Sequence, residues 1–162
     1  SACLSSLLFG MSIAIALVWA HAFATLCMAG LVWFVQIVHY PLFARVGDDA
    51  FTPFEREHQS RTTWIVAPLM LTELATAILM LVVRPTGVPG PLLYASAALV
   101  GVVWLLTFAI SVPLHSRLSR GFDADTHRQL VLTNWPRTLA WTARGVIAIA
   151  VVHTATSGTY VA

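Results

Sequence analysis

Long apolar stretches alternate with polar segments along the whole sequence. A helix needs about 20 mainly apolar residues to cross the hydrocarbon core of a bilayer, where it satisfies its own backbone polar groups. Four stretches are long enough, so the pattern predicts an all-α polytopic membrane protein, a four-helix bundle that forms one domain over residues 1–162. The predicted transmembrane helices cover about residues 12–40, 64–83, 92–112 and 138–160.

The predicted connections differ in their content of Arg. Residues 41–63 and 113–137 are polar, whereas the connection between the second and third helices is the short Pro/Gly-rich segment "RPTGVPGP". Cytoplasmic loops carry an excess of basic residues. We therefore expect the two polar connections to lie in the cytoplasm, both termini to lie outside it, and the chain to reside in the inner (plasma) membrane. The two polar connections hold seven of the nine basic residues: Arg45, Arg56, Arg61, Arg117, Arg120, Arg128 and Arg137.

Composition narrows the choice of partners. With 58% hydrophobic and 10% charged residues, the chain is too apolar for an ordinary soluble domain. A formal net charge of +2 gives no reason to expect nucleic acid. Composition therefore gives the lipid bilayer as the expected partner. Small residues along three of the helices permit close helix contacts, which leaves a homo-oligomer open.

A polar motif occurs twice at the edge of an apolar stretch, as "HQSRTTW" at residues 58–64 and as "NWPRTLAW" at residues 134–141. The similarity extends outward in the same order, which predicts that the bundle is built from two similar helical hairpins, with Asn134 in the position of His58. The first series is Trp33, Pro41, Leu42, Arg45, Phe51, His58, Arg61 and Trp64, and the second is Trp104, Pro113, Leu114, Arg117, Phe122, Asn134, Arg137 and Trp141.

Two ionisable residues fall inside predicted helices. Glu73 lies nine residues beyond Trp64, and Arg144 lies seven beyond Arg137. A rise of about 1.5 Å per residue puts them roughly 14 Å and 10 Å into the membrane from the same side. Charges at such depth are costly unless they are paired or hydrated. We expect Glu73 and Arg144 to pair, either as a structural ion pair or as part of an active site.

Three histidines are expected to meet at the cytoplasmic end of the bundle. His39 closes the first helix, His115 closes the third, and His58 opens the second. Glu73 would share a helix face with His58 if that helix extends so far. Imidazoles and carboxylates in a bundle core are ligands for Zn, Fe or Cu. His39, His58, Glu73 and His115 are therefore the predicted metal ligands, although the presence of a metal is left open. The segment "EREH" at residues 55–58 adds a single Glu-x-x-His spacing.

His127 lies in "GFDADTHRQ", which predicts an amphipathic helix on the membrane surface. Asp123 or Asp125 would cap this helix. We expect His127 to be solvated.

The segments "HYPLF", "EREHQSR" and "NWPRTLAWTARG", together with Glu73, give the chain a recognisable pattern. The chain resembles the DUF1772 family of four-helix bacterial membrane proteins, which includes the anthrone oxygenase-like enzymes of polyketide pathways. The most specific part is Asn-Trp-x-Arg-Thr-x-x-Trp-x-x-Arg at residues 134–144, and the four-helix plan covers nearly the whole chain. The resemblance implies an oxygenase of a lipophilic aromatic substrate, with Asn134, Arg137 and Arg144 as functional residues.

Three functions follow from these features. The first is a membrane oxidoreductase, an oxygenase whose phenolic substrate enters from the bilayer. A histidine at the cytoplasmic end would remove a proton or hold a transition metal, and Arg61 and Arg137 would stabilise the phenolate. The cofactor is unknown: a metal (Cu, Fe or Zn) or none. The predicted catalytic residues are His58, Arg61, Glu73, Asn134, Arg137 and Arg144.

The other two functions involve no oxygenase chemistry. In one, the protein is a haem-binding electron carrier with His39 and His115 as axial ligands, and His21 and His153 serve a second haem. In the other, it is a non-enzymatic binding or scaffold protein.

Overall fold

The computed structural model describes the backbone of residues 2–157 and the side chains of residues 13–157. It confirms the all-α four-helix fold, and the described residues contain no strand. Within the described residues, four helical segments are long and apolar enough to cross a membrane, and they are called spans. They are span 1 (Ile13–Arg45), span 2 (Asp48–Val83), span 3 (Gly90–Leu118) and span 4 (Ala124–Ser157).

Within these spans the helix type varies. Regular α-helix forms Ala2–Phe34, Tyr40–Leu42, Asp48–Val83, Gly90–Leu106, Val112–Leu118 and Ala124–Ser157. Phe43–Arg45 is a 3₁₀ turn, and two π-helical turns cover Val35–His39 and Thr107–Ser111.

The predicted helices were too short at their polar ends. Spans 2 and 4 begin at Asp48 and Ala124 rather than near residues 64 and 138, so most of the two polar connections is helical. Span 3 also extends past both of its predicted ends at 92 and 112, and the predicted end of the fourth helix at 160 lies outside the described residues. Hydropathy detects only the part of a helix that crosses hydrocarbon. Helices of 36 and 34 residues are roughly 50 Å long, against a hydrocarbon core of about 30 Å.

Each π-helical turn is placed just before a proline. Val35–His39 ends two residues before Pro41, and Thr107–Ser111 ends two residues before Pro113. Proline lacks an N–H group and its ring clashes with the carbonyl four residues earlier, which lies within the π-helical turn in both cases. The wider turn accommodates this clash without ending the helix. The two hairpins therefore share this local structure at equivalent positions.

The spans form a closed ring, in which span 1 packs against spans 2 and 4, and span 3 packs against the same two. Large apolar side chains cover the outside, as expected for a surface that faces lipid. Trp64, for example, is 81% exposed, whereas Trp141, its counterpart in the sequence repeat, is fully buried. The repeated motif thus does not give its two tryptophans the same environment.

An apolar layer separates two polar regions in the interior of the bundle. Along each span it lies between a polar residue in the middle of the bundle and polar residues nearer the end that carries the connections at residues 46–47 and 119–123. The buried members of this layer are Met28, Val32, Met70, Val103 and Trp141.

Candidate functional site

The first polar region is an ion pair in the middle of the bundle. Arg144 donates from Nε to Glu73 Oε1 at 2.8 Å and also from Nη2 to the same oxygen. Its Nη1 donates to the Ser96 carbonyl at 2.7 Å, and the Thr25 hydroxyl donates to Glu73 Oε1 at 2.6 Å. Both charged side chains are fully buried. The structure therefore brings Glu73 and Arg144 together as expected, with contributions from all four spans.

His21 completes this region, which is called the ion-pair layer below. Its Nδ1 lies 2.9 Å from the Thr76 hydroxyl and its Nε2 lies 3.2 Å from the Ser96 hydroxyl. His21 is 1% exposed, while His153 is on the exposed surface of span 4. Because both nitrogens of His21 are hydrogen-bonded and His153 faces away from the interior, the geometry does not favour a haem between them.

The second polar region lies at the end of the bundle where spans 1 and 3 end and spans 2 and 4 begin, and it is called the rim cluster. A hydrogen-bond chain crosses it. The Tyr40 hydroxyl lies 2.8 Å from His115 Nε2, and His115 Nδ1 lies 2.6 Å from Glu55 Oε1. A carboxylate only accepts hydrogen bonds, so Nδ1 donates and Nε2 of the neutral ring accepts from Tyr40. Glu55 is fully buried, and its Oε2 has no partner among the described residues.

The three predicted histidines meet in the rim cluster. His39 Nε2 lies 2.9 Å from His58 Nδ1, and the Thr62 hydroxyl lies 3.1 Å from the same nitrogen. The His58 ring is 4.6 Å from that of His39 and 5.5 Å from that of His115, measured between centroids. The haem alternative is not favoured here either, because the His58 ring packs against both His39 and His115, the two proposed axial ligands.

The prediction that Glu73 joins these histidines is wrong. Glu73 lies 15 residues beyond His58 on the same continuous helix, which is roughly 22 Å along its axis. Sharing a helix face therefore does not bring the two side chains together. Arg144 pairs with Glu73 and so also lies away from the rim cluster. The carboxylate that meets the histidines is Glu55, whose sequence signal was the single Glu-x-x-His spacing with His58.

A buried amide network lies beside the histidines. Asn134 Nδ2 donates to Gln36 Oε1 at 2.8 Å, and Arg137 Nη1 donates to Asn134 Oδ1 at 3.3 Å. Arg137 is 7% exposed, and its Nε has no partner within the described part of the chain. Arg61 behaves differently, because its side chain is 80% exposed and pairs with Glu57 at 2.6 Å. Of the two arginines in the repeated motif, only Arg137 lies inside the bundle.

Two hollows meet at His58. The inner cavity has a volume of about 160 Å³ and is lined by both apolar and polar side chains. The outer groove, of about 540 Å³, lies along spans 1 and 2, with Phe34, Ile65 and Arg61 among its lining residues. An apolar cavity of about 150 Å³ is large enough for benzene, so the inner cavity accommodates one aromatic ring. Its polar wall includes Tyr40, His58, Gln59, Thr62, His115 and Arg137.

His127 contacts residues that form this site. Asp123, one of the two expected caps, caps span 4 by accepting a hydrogen bond from the Thr126 amide at 2.7 Å. Hydrogen bonds from Thr126 lower the pKa of the Asp123 carboxyl. The expectation that His127 is solvated was wrong. Its Nε2 lies 2.8 Å from the Tyr40 carbonyl, and its ring stacks on Phe43. The helix that carries it continues into span 4 instead of lying separately on the membrane surface.

The fold and this geometry define a class: a multi-pass membrane protein with a sealed ion pair in its interior and a histidine-rich cavity at one end. The chain matches no protein-family model, no curated protein and no solved structure. The likeness to the DUF1772 family therefore depends on the sequence motifs alone and stays a prediction.

Proposed function

We propose that this protein is a membrane-embedded oxidoreductase that oxidises a lipophilic aromatic substrate, a phenolic carbon acid with an activated methylene group, with molecular oxygen in the inner cavity. The observation that carries the proposal is the Tyr40–His115–Glu55 hydrogen-bond chain, which opens into a ring-sized cavity beside Arg137. An acidic aromatic molecule needs a proton acceptor and a cationic group within one apolar space, and the cavity offers both.

His115 is the proton acceptor in this proposal. The Glu55 carboxylate fixes the orientation of the ring and the tautomer, as a carboxylate does for the histidine of a hydrolase triad. The basic Nε2 is directed to the hydroxyl of Tyr40, a residue that lines the cavity, and Tyr40 would pass the substrate proton to His115. Histidine is the residue most often used for general base catalysis.

Arg137 stabilises the anion that remains. It is almost fully buried and lines the inner cavity, where a preorganised cation acts more strongly on developing charge than it would in water. Arg137 donates from Nη1 to Asn134, which holds the guanidinium beside the cavity, and its positive charge would stabilise a phenolate oxygen there.

The reaction balances without an added reductant. A substrate methylene activated by aryl groups loses two hydrogens and four electrons as it becomes a carbonyl. One molecule of O₂ takes up the four electrons, so that one oxygen atom becomes the carbonyl oxygen and the other leaves as water. A resonance-stabilised anion passes electrons to O₂ directly, so this overall step requires no organic cofactor.

The surroundings of the site fit a lipophilic substrate. The outer groove presents Phe34 and Ile65 beside the inner cavity, and His58 borders both spaces. We propose that the substrate enters from the bilayer by this groove and places its reacting ring in the inner cavity. The positions of the arginines support a cytoplasmic location of this end in the plasma membrane.

The test is oxygen uptake by the purified protein in lipid nanodiscs, supplied with a panel of anthrones and other phenols that carry a methylene group activated by aryl groups. We expect uptake with at least one of them and a loss of roughly 100-fold or more in the His115→Ala variant, as is typical when a general base is removed. His153→Ala is the matched control, because this histidine is exposed and far along span 4. No uptake with any substrate, or equal rates in the two variants, would contradict the proposal.

A further inference from the structure

We infer that Glu55, His58 and His115 form a binding site for one divalent transition-metal ion, with two imidazoles and one carboxylate as ligands. This inference goes beyond the proposed function and rests on it only for a role in catalysis. With the ion bound, His115 would hold a proton on Nε2, so the ion in the cavity wall, and not His115, would activate the substrate. The binding itself stands on the geometry and is testable separately.

The three side chains are already close to a ligand arrangement. Each offers one donor atom, and the three atoms all lie within 4.8 Å of one another. Bonds of about 2.0–2.2 Å to a metal leave neighbouring ligand atoms roughly 3–3.5 Å apart. The site therefore needs to contract by about 1–2 Å at most, which side-chain rotation on fixed helices supplies. Glu55 and His58 are three residues apart on one helix, the spacing by which metal-binding bundles present two ligands together.

A second observation concerns the charge of Glu55. Its side chain is fully buried, its Oε2 is unpartnered among the described residues, and its hydrogen-bond donors are His115 and the Gln59 amide. An uncompensated buried carboxylate is costly. Glu73 also leaves one oxygen unpartnered, but Arg144 already supplies a fixed cation there. No arginine hydrogen-bonds to Glu55 or forms an ion pair with it in the described part of the chain, and a metal ion would supply the missing positive charge.

The remaining nitrogens of both rings have partners that would hold them in place. His115 would bind the ion through Nδ1, in exchange for the proton now shared with Glu55, while its Nε2–H would donate to Tyr40. His58 Nδ1 is engaged by His39, which leaves Nε2 for the ion. Ligand histidines in metalloproteins show this pattern, in which the second nitrogen is hydrogen-bonded and thereby fixes the ring. His39 is thus a supporting residue and not a ligand.

The donor set indicates the kind of ion. Two histidines and one carboxylate that leave coordination positions open are typical of non-haem Fe(II) sites that use oxygen, and the same donors accept Zn, Co and other divalent ions. His58 and His115 both line the inner cavity, so the open positions would face the substrate. When bound, a redox-active ion would supply a place for oxygen next to the aromatic ring.

The experiment uses Co(II) as the probe. The full-length protein in detergent is stripped with a chelator and titrated with Co(II), followed by visible absorption and by equilibrium dialysis. We expect one Co(II) per chain. Glu55→Gln and His115→Ala should each weaken binding by more than about 100-fold, beyond the 10- to 100-fold that the loss of a supporting partner costs. Tyr40→Phe, which removes only such a partner, should fall within that smaller range.

The controls separate the site from general surface binding. Glu57→Gln removes an exposed carboxylate two residues away on the same helix, and His153→Ala removes an exposed histidine. Both should bind Co(II) as the parent protein does. Circular dichroism and melting temperature verify folding, and Tyr40→Phe keeps the test valid if a ligand variant does not fold. The inference is overturned by the absence of stoichiometric binding, or by equal losses in Glu55→Gln and Glu57→Gln.

The outcomes also distinguish the inference from the proposed function. Specific Co(II) binding without oxygen uptake on any substrate supports the metal site and overturns the oxidoreductase. Full oxygen uptake by a protein that binds no Co(II) overturns the metal site and leaves the oxidoreductase standing.

Discussion

The ion-pair layer and the rim cluster contain similar residue types, but they differ in how their polar groups are matched. In the ion-pair layer Glu73 faces a guanidinium that donates to it twice, and His21 has both nitrogens engaged. In the rim cluster the hydrogen-bond partners of Glu55 are a histidine and an amide, and Arg137 pairs with an amide and with no carboxylate in the described structure. A buried charge with a permanent partner serves the fold. Buried groups that lack one, beside a cavity, are available for chemistry.

The largest expected effect comes from breaking the ion pair. In Arg144→Met, Glu73 stays fully buried without its cation, and removal of one partner of a buried pair typically costs about 3–5 kcal/mol. We expect the free energy of unfolding to fall by that amount, measured by denaturant titration in mixed micelles. The double variant Glu73→Gln/Arg144→Met should recover much of the loss, because no charge then remains unpaired. Equal stability of the single and double variants would show that this pair is not coupled.

The next comparison concerns the two arginines of the repeated motif. Arg137→Met removes the buried cation of the inner cavity, and we expect oxygen uptake to fall by about 100-fold, the cost of losing one preorganised donor. Arg61→Met is the matched control. Its side chain is 80% exposed, its pair with Glu57 is a surface ion pair worth at most about 1 kcal/mol, and uptake should stay near the parent rate. A larger loss of oxygen uptake in Arg61→Met than in Arg137→Met would indicate that the reaction takes place in the outer groove.

The fold was largely readable from the sequence because apolar length alone separates membrane helices from other segments. The same signal missed the helical ends at residues 48–63 and 124–137, since hydropathy is insensitive to a helix that continues into a polar environment. The repeated motif correctly drew attention to equivalent positions in the two hairpins. The π-helical turns before Pro41 and Pro113 show that the equivalence extends to the backbone.

The site was only partly predictable. His39, His58 and His115 lie close to helix ends on the same side, so their meeting followed from depth along the bundle. Glu73 was assigned to them by angle around the helix, and angle carries no information about the roughly 22 Å of axial separation. The different exposures of Arg61 and Arg137 depend on how each helix is rotated toward its neighbours, which the spacing of a motif does not specify.

The smallest expected effect tests access to the rim cluster from the lipid side. Ile65 lines the outer groove and is 56% exposed, so Ile65→Trp should narrow the groove without disturbing the core. We expect KM for a polycyclic substrate to rise roughly fivefold, about 1 kcal/mol of binding, with kcat unchanged. Ile78→Trp is the control, because Ile78 is similarly exposed on the same helix but lies near the ion-pair layer. If both variants raise KM equally, the effect belongs to the lipid-facing surface in general, and the groove has no special part in substrate access.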